Sequence, residues 1–428
     1  MFSSIASSSL WSWLTFGSSL VSPAKAGLAA HQSSVPSAAA NSSALNPATE
    51  LEVVMSTDLY TEWTVSAIEV LQEWYDEDEG LWLSTNWWNS ANCLTVLGDF
   101  LAVIGNREKD LNLDHVFSNT FSQAQKTAKF TSKMPMTRPS GLRTIESPHG
   151  QDSKPKLAKR GYRGFLDGYY DDEGWWALAW IRAYDVFGNA EYLSMAERIF
   201  QDMKGGLANS TCGGGIWWDK DRSYKNAIAN ELYLSVAASL ANRATHSEAY
   251  LATAEGQWAW FQRSGLINNR NLINDGLRIY DNGTCVNNER NTWSYNQGVI
   301  LGGLLELHRA TGNSSLLSTA ADIAEAAISA LSIDGVLHES CENEDCGADG
   351  SQFKGVFVRN LQYLQLEINR PDFRRFILAN ANSIWNNDRN VSGYLGLNWA
   401  GPPSAGGSPN ASTHSSALDA LVAAMAIF

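Results

Sequence analysis

Gly168-Tyr169-Tyr170-Asp171-Asp172-Glu173-Gly174-Trp175-Trp176 is the stretch around which the chain is organised. Three consecutive acidic residues lie between two aromatic pairs, and helical spacing follows them as far as Phe187. Aspartate is a favoured N-cap residue, and acidic side chains are stabilised in the first turn of a helix. We therefore expect Asp171 and Asp172 at a helix N-terminus. An isolated Asp-Asp pair is more often a plain helix cap, so the rest of the sequence has to decide between a cap and a functional pair.

Apolar residues recur at helical spacing along the rest of the chain. The segments are 58–75, 89–105, 113–133, 173–187, 190–204, 225–243, 246–263, 293–311, 314–331, 352–369, 371–387 and 412–427. Short joints alternate with long joints rich in Gly, Trp, Tyr, Asn and Asp, which places all the long loops of antiparallel helices on one face. The sequence predicts an all-α fold, an (α/α)6 barrel of twelve antiparallel helices. Its even-numbered helices begin at the long-loop face, which would carry the function.

The two ends of the chain differ in composition from its middle. Residues 1–26 contain a short apolar region followed by Ala24-Lys25-Ala26, a cleavage pattern typical of a signal peptide. Residues 27–50 are rich in Ser, Ala and Pro and are expected to form a disordered linker, which leaves 51–428 as one domain. The apolar run Ala417–Phe428 favours an amphipathic final helix over a lipid-anchor signal, because Asp419 interrupts it.

Glycosylation triplets support secretion, and a secreted protein can form disulfides. The candidate glycosylation sites are Asn41, Asn209, Asn282, Asn313, Asn390 and Asn410. Cys341 and Cys346 bracket a short loop, and Cys212 and Cys285 lie in Gly/Asn-rich loops, so each pair is a disulfide candidate. Cys93 lies in a helical run and is expected to be a buried free thiol. We expect a secreted protein, with association with the cell wall left open.

Charge and motif spacing exclude several kinds of partner. The formal net charge is -14, which argues against nucleic acid or anionic lipid and suits a neutral or cationic substrate. No internal segment reaches the length of a membrane span. Cysteine and histidine residues lack metal-ligand spacing, so we expect neither a metal nor another cofactor, and we expect a monomer.

Aromatic and polar residues gather at the expected entrances of the even-numbered helices. The chain has 17 tryptophans, several of them in adjacent pairs. A helical core rarely needs such pairs, whereas loops that bind ring-shaped ligands use them. A cleft of aromatic rings, amides and carboxylates suits a polysaccharide. The candidate substrate-binding residues are Trp87, Trp88, Asn92, Tyr170, Trp175, Trp217, Trp218, Tyr224, Asn226, Glu231, Asn296, Gln297 and Lys354.

Cleavage of a glycosidic bond needs two carboxyl groups with separate roles. Asp171 and Asp172 could serve if a non-helical backbone at the helix entrance aimed both into one cavity, where burial of like charges separates their pKa values. Glu173 is expected to point into the first turn as a dipole partner. Glu231 is either a substrate contact or a buried, hydrogen-bonded structural acid. Asp275 is expected to form an Asx-type turn.

Six runs, in order, resemble glycoside hydrolase family 76, the α-1,6-mannanases, in their secreted fungal form. The runs are residues 86–92, 169–176, 212–218, 224–231, 293–298 and 352–355. The resemblance implies an (α/α)6 barrel that cleaves α-1,6-linked mannan backbones with retention of configuration. It also implies that Asp171 is the nucleophile and Asp172 the acid/base.

Three alternatives remain beside hydrolysis. The resembled family also includes cell-wall proteins thought to transfer mannan-bearing anchors onto wall glucan, so one alternative is transglycosylation. Another is a non-catalytic mannan-binding protein, which would not need the two aspartates. A polysaccharide lyase on the same barrel is disfavoured, because such enzymes bind uronates through basic residues and this chain is acidic.

Overall fold

The computed structural model describes residues 47–105, 111–126, 162–208, 210–344, 346–403 and 407–428. The α-helices in this part of the chain are α1 (Pro47–Gln72), α2 (Trp87–Ile104), α3 (Leu113–Gln123), α4 (Tyr170–Phe187), α5 (Ala190–Met203), α6 (Ala227–Ala241), α7 (Ser247–Ser264), α8 (Ser294–Thr311), α9 (Ser315–Leu331), α10 (Gly347–Gly350), α11 (Phe353–Ile368), α12 (Pro371–Ser383) and α13 (Ala411–Ala426). A 3-10 turn (Lys204–Gly206) follows α5, and a π-helical turn (Ile384–Asp388) follows α12.

Six helices form a closed inner ring. In order around the ring they are α2, α4, α6, α8, α11 and α13, and α13 packs against α2 again. Every residue of α6 is buried, as expected for a helix surrounded by protein on all sides. The inner helices approach closely where they carry glycine: a Cβ at Gly298 would lie 2.6 Å from the Cα atom of Phe357.

The remaining long helices form the outer layer. Four of them, α5, α7, α9 and α12, each pack against both the inner helix that precedes it and the inner helix that follows it in the chain. α3 reaches α4 through an edge-to-face contact of Phe117 and Phe187. α1 reaches α13 through His414, whose Nε2 lies 2.8 Å from the carbonyl oxygen of Ala67. The predicted (α/α)6 barrel is therefore confirmed.

The long loops gather at the end where the inner helices begin. Three short antiparallel hairpins lie in these loops, which sequence spacing did not predict: β1 (Tyr75–Asp76) with β2 (Leu81–Trp82), β3 (Leu277–Ile279) with β4 (Cys285–Asn287), and β5 (Ser332–Ile333) with β6 (Val336–Leu337). The first precedes α2, the second α8, and the third α10 and α11. One end of the barrel thus carries the irregular backbone that can shape a site.

Several boundaries differ from expectation. α1 begins at Pro47, inside the segment predicted as linker, and α4 begins at Tyr170 rather than at residue 173. The last helix was expected to be amphipathic but is buried on all sides, because it is a member of the inner ring. Residues 48–428 group into one compact unit. The predicted signal peptide lies outside the described residues, as does most of the linker, and none of the described helices is long and apolar enough to cross a membrane.

Candidate active site

The two aspartates lie in the first turn of α4, at the long-loop end of the barrel. Both are nearly buried, with 7% of Asp171 and 6% of Asp172 exposed. Both belong to the helix, so the backbone at this entrance is helical and not the non-helical one considered above, and the two side chains leave the N-terminal end about 100° apart around the axis. The positive end of the helix dipole favours the ionised form of a carboxyl group placed here.

Asp171 is held in a fixed direction by an indole. Trp218 Nε1 donates a hydrogen bond of 2.9 Å to Oδ2 of Asp171. A hydrogen bond donated to a carboxylate stabilises its charged form. This contact orients one oxygen of Asp171 and favours the state that a nucleophile needs.

The loop that carries Trp218 is joined to the start of α4 along the backbone. Tyr170 N donates to Trp218 O at 2.9 Å, and Lys220 N donates to Gly168 O at 3.0 Å. The same loop is also connected through an ion pair of 2.7 Å between Lys220 and Glu173. The indole and the aspartates therefore belong to one rigid assembly.

Glu173 has a structural part in this assembly. It is fully buried, and its Oε1 also accepts the backbone N–H of Asp167 at 3.0 Å. Burial raises the pKa of Glu173 well above its usual range, although the charge of Lys220 opposes that shift. Glu173 lies in the first turn of α4, as expected of a partner of the helix dipole, and its ion pair with Lys220 also fixes the loop.

Aromatic rings lie next to one another around the Trp218 indole that bonds to Asp171. The rings of Tyr169 and Trp218 lie 4.9 Å apart, and Tyr224 meets Trp218 edge-on at 6.4 Å. The Tyr224 hydroxyl donates to Asp275 Oδ2 at 2.6 Å and accepts from Asn288 Nδ2 at 2.7 Å. A row of rings with polar ends suits a sugar chain.

Asp275 lies near the site and has a larger part there than the sequence indicated. Its carboxylate accepts the Tyr224 hydroxyl, whereas an Asx-type turn was expected. Burial raises the pKa of Asp275, while the Tyr224 hydrogen bond and the charge of Arg290 oppose the shift. The two partners are 51 residues apart, and no local pattern in the sequence connects them.

Four of the predicted substrate-binding residues keep partly exposed side chains. They are Trp87, Trp217, Trp218 and Tyr224. Exposure at the long-loop end leaves these four able to contact a ligand. The other nine are buried, namely Trp88, Asn92, Tyr170, Trp175, Asn226, Glu231, Asn296, Gln297 and Lys354.

Most of the buried candidates have structural contacts in place of the predicted ligand contact. Gln297 bonds to both the N–H and the carbonyl oxygen of Ile273 at 2.8 Å. Asn226 caps α6 by accepting the N–H of Ala229 at 3.3 Å. Because these amides bond to backbone groups, they support the structure around the site.

The buried aromatic candidates have similar supporting contacts. The Tyr170 ring fills the space that a Cβ at Gly206 would need. Trp88 stacks on Trp175 at 5.7 Å and donates from Nε1 to Asp349 at 2.9 Å. These rings form the wall behind the accessible residues.

Lys354, predicted to contact substrate, is a buried cation with protein partners in the structure. It is 1% exposed, lies 2.6 Å from Glu342, and donates to Leu397 O at 2.7 Å. Burial lowers the pKa of Lys354, and the charge of Glu342 opposes that shift. Asn92 is also engaged inside the barrel, where it accepts a hydrogen bond from Arg359.

Glu231 and Asn296 are fully buried. Neither carboxyl oxygen of Glu231 and neither amide atom of Asn296 has a hydrogen-bond partner among the described residues. Of the two expectations for Glu231, the structure agrees with a buried acid, but it shows no hydrogen bond from Glu231 to the described part of the protein. Asn296, predicted to contact substrate, lies inside the barrel as well.

Both candidate cysteine pairs form disulfides, Cys212–Cys285 and Cys341–Cys346, and Cys93 is a buried free cysteine. Disulfides persist in oxidising compartments, so they indicate an extracytoplasmic protein. Within the described ranges no cluster of three His, Cys, Asp or Glu side chains could hold a metal ion.

The predicted glycosylation sites differ in accessibility. Asn282 and Asn313 are exposed, and Asn390 is half-buried. The half-buried side chain of Asn410 caps α13 by accepting the N–H groups of Ser412 and Thr413. Asn41 and Asn209 lie outside the described residues.

Comparisons with known proteins agree with this architecture. The model of glycosyl hydrolase family 76 matches residues 150–427. The chain is 31% identical over 206 residues to DFG5, a mannan endo-1,6-alpha-mannosidase of Candida albicans, and 32% identical over 206 residues to DCW1, the enzyme of that description in Saccharomyces cerevisiae. Each alignment covers 45% of this chain and 45% of the relative. The chain thus matches about half the length of these curated relatives.

Solved structures share the fold. An inactive variant of the alpha-1,6-mannanase GH76A of Salegentibacter sp. HEL1_6, with two consecutive Asp residues changed to Asn and alpha-1,6-mannotriose bound, is 22% identical with a TM-score of 0.70. That match covers 86% of this chain and 100% of the other. Dfg5 of Chaetomium thermophilum, in complex with glucosamine, is 19% identical with a TM-score of 0.63, over 79% and 80% of the two chains. Because the family model covers well over half of the sequence, the chain belongs to glycosyl hydrolase family 76.

Proposed function

We propose that the protein is an endo-acting α-1,6-mannosidase that cleaves mannan backbones with retention of configuration. The observation that carries the proposal is the position of Asp171 and Asp172, adjacent in the first turn of α4 where the long loops converge. Asp171 is the nucleophile, because the Trp218 indole and the helix dipole favour its ionised form. Asp172 is the acid/base.

The reaction follows from these two roles. Asp172 protonates the glycosidic oxygen while an oxygen of Asp171 attacks the anomeric carbon, which gives a mannosyl–enzyme ester and frees the remainder of the chain. Asp172 then takes a proton from water, which attacks the same carbon and releases Asp171. Trp87, Trp217, Trp218 and Tyr224 supply aromatic surface for the sugar rings.

The substrate and the location rest on separate support. α-1,6-Mannotriose occupies the structurally similar mannanase of Salegentibacter, and the curated relatives are described as mannan endo-1,6-alpha-mannosidases. The disulfides and the exposed sequons Asn282 and Asn313 support secretion. A secreted enzyme would meet mannan in a cell wall.

Incubation with debranched α-1,6-mannan, followed by sizing and anomer analysis of the products, tests the proposal. Wild type should release short oligosaccharides with α configuration, and Asp171→Asn and Asp172→Asn should each lose nearly all activity while they keep the melting temperature of wild type. Substantial activity in both variants would refute the catalytic assignment. Products transferred to an added glycan in place of water would identify a transglycosylase.

A further inference from the structure

Glu231 lies on the interior face of α6, one turn closer to the catalytic end than a cavity inside the ring. That cavity has a volume of about 310 Å³, and its lining includes Ser235 and Ser239, which follow Glu231 at four-residue steps along α6. Residues at this spacing share one face of a helix. Glu231 therefore points into the barrel between the cavity and the catalytic pair.

The neighbouring helix α8 places two more polar residues at the same level. Ser235 Oγ donates to the carbonyl oxygen of Val299 at 3.2 Å, which fixes the register of α6 against α8. Both helices begin at the catalytic end, so this register places Glu231, one turn nearer that end, at the level of Tyr295 and Asn296. The pKa of Tyr295 is raised well above its usual range, chiefly by burial and then by nearby carboxyls that include Asp171 and Glu231. The Tyr295 ring also lies 6.5 Å from the ring of Trp175, which is one turn along α4 from Asp171.

The fold does not explain why the polar side chains of Glu231 and Asn296 are buried. Both oxygens of Glu231 and both amide atoms of Asn296 are buried without a hydrogen-bond partner in the described part of the protein. Buried polar groups are almost always bonded to protein or to ordered water, and an unbonded one destabilises the folded state. A single enclosed water typically bonds to about three such groups.

We propose that Glu231 is a positioning residue of the catalytic site, which together with Asn296 holds enclosed water that supports Tyr295 beside Asp171. The inference rests on the proposed mannosidase function. Because Glu231 is fully buried, the inference assigns it no contact with substrate. Burial also raises the pKa of Glu231 well above the usual range, which favours the protonated carboxyl group, and that form can both donate and accept a hydrogen bond.

Two substitutions of Glu231 should differ in their effect on kcat. Glu231→Gln retains a neutral donor and acceptor of the same size, so kcat should stay within about threefold of wild type. Glu231→Met fills the same space without hydrogen bonds, so Tyr295 loses its support. A small displacement at a catalytic centre lowers rates by about 10- to 100-fold, and we expect a loss of that size in kcat with KM nearly unchanged.

Stability separates a positioning role from a structural one. If Glu231 served the fold, Glu231→Met would lower the melting temperature. A residue retained for catalysis at the expense of stability gives the opposite result, so Glu231→Met should melt at the same temperature as wild type or higher. Asn296→Leu should also lower kcat without lowering the melting temperature.

The experiment measures kcat, KM and melting temperature for wild type and these three variants on debranched α-1,6-mannan. Ser239→Ala, which changes a polar residue two turns farther from the site, is the matched control and should behave as wild type. Normal kcat in Glu231→Met, a large loss in Glu231→Gln, or failure of Glu231→Met to fold would each overturn the inference. If wild type cleaves no mannan while it folds normally, the proposed function fails instead.

Discussion

At the scale of single residues, the orientation of Asp171 depends on one donor. Trp218→Phe removes the Nε1 group that bonds to Asp171 at 2.9 Å and keeps a ring beside Tyr169. A hydrogen bond to a charged group contributes about 1.5–3 kcal/mol. If that energy supports the nucleophile during reaction, kcat/KM for α-1,6-mannan should fall by about 10- to 100-fold.

Trp217→Phe is the matched control for this substitution. Trp217 is the adjacent indole, and its Nε1 has no hydrogen-bond partner among the described residues. It should therefore lose much less activity than Trp218→Phe. Equal losses in the two variants would show that the rings matter and that the bond to Asp171 does not.

Lys354 is a residue whose importance lies in stability. Lys354→Met leaves Glu342 without its partner at 2.6 Å, in a region that also contains the buried acids Glu339 and Asp388. Removal of one partner from a buried pair costs about 3–5 kcal/mol. Urea unfolding should show this loss, whereas Lys204→Met, at an exposed position, should change the free energy of unfolding by less than about 0.5 kcal/mol.

The sequence predicted which residue types form the site better than it predicted what each residue touches. The position of Asp171 and Asp172 at a helix start followed from local preferences. The burial of Gln297 and Lys354 could not be anticipated, because it depends on Ile273 and Glu342, which approach them only after the ring closes. Tertiary contacts alone therefore decide which polar side chains remain accessible and which become structural.

At the scale of elements, helical periodicity and alternating loop lengths together predicted the barrel. Alternate short and long joints identified which helices begin at the functional end, and the inner ring of α2, α4, α6, α8, α11 and α13 agrees with that rule. The hairpins of two or three residues per strand escaped prediction, because such segments are too short for an alternating pattern. The buried last helix was misjudged because its small Ala and Ser residues conceal how closely its neighbours approach.

The disulfide Cys212–Cys285 connects two elements of the functional end. It joins the loop that carries Trp217 and Trp218 to β4, across 73 residues of sequence. Cross-linking a chain stabilises it more when the closed loop is longer, and the loop-entropy relation gives about 4 kcal/mol here. The double variant Cys212→Ser/Cys285→Ser should lose about this much stability and bind mannan with a higher KM.

The second disulfide gives a control within the same chain. Cys341 and Cys346 are only five residues apart, so the same relation gives about 2 kcal/mol. Thermal and urea unfolding of the two double variants should rank them in that order. A larger loss from Cys341→Ser/Cys346→Ser would show that local packing, and not loop entropy, governs the stability.

At the scale of the whole molecule, closing six helices into a ring buries polar side chains along its axis and beneath its loops. Burial raises the pKa of Glu339, Asp388 and Asp419 to about 7 in each case. Burial lowers the pKa of His414 to about 4. The molecule therefore holds several carboxyl groups that keep their protons when folded and release them on unfolding.

The sign of the resulting pH dependence follows from proton counting. Between about pH 4.5 and 7, each of the three acids binds a proton in the folded state that it loses in the unfolded state, so its contribution to stability falls as the pH rises. His414 acts in the opposite direction, because below about pH 6.5 the unfolded chain binds a proton on His414 that the folded chain does not bind. Three groups outweigh one, so the net free energy of unfolding should fall as the pH rises through this window.

We therefore expect a higher melting temperature at pH 5 than at pH 7.5, measured at constant ionic strength. Asp419→Asn removes one of the three titrating acids, so it should make stability depend less steeply on pH between 4.5 and 7. Below about pH 4 the trend should reverse, because Arg243 holds the pKa of Glu306 below its usual range against the effect of burial, and protonation of Glu306 then weakens that ion pair. A melting temperature that rises steadily from pH 5 to pH 7.5 would mean that these buried acids are ionised in the folded protein, with solvent or counter-charges reaching the interior of the ring.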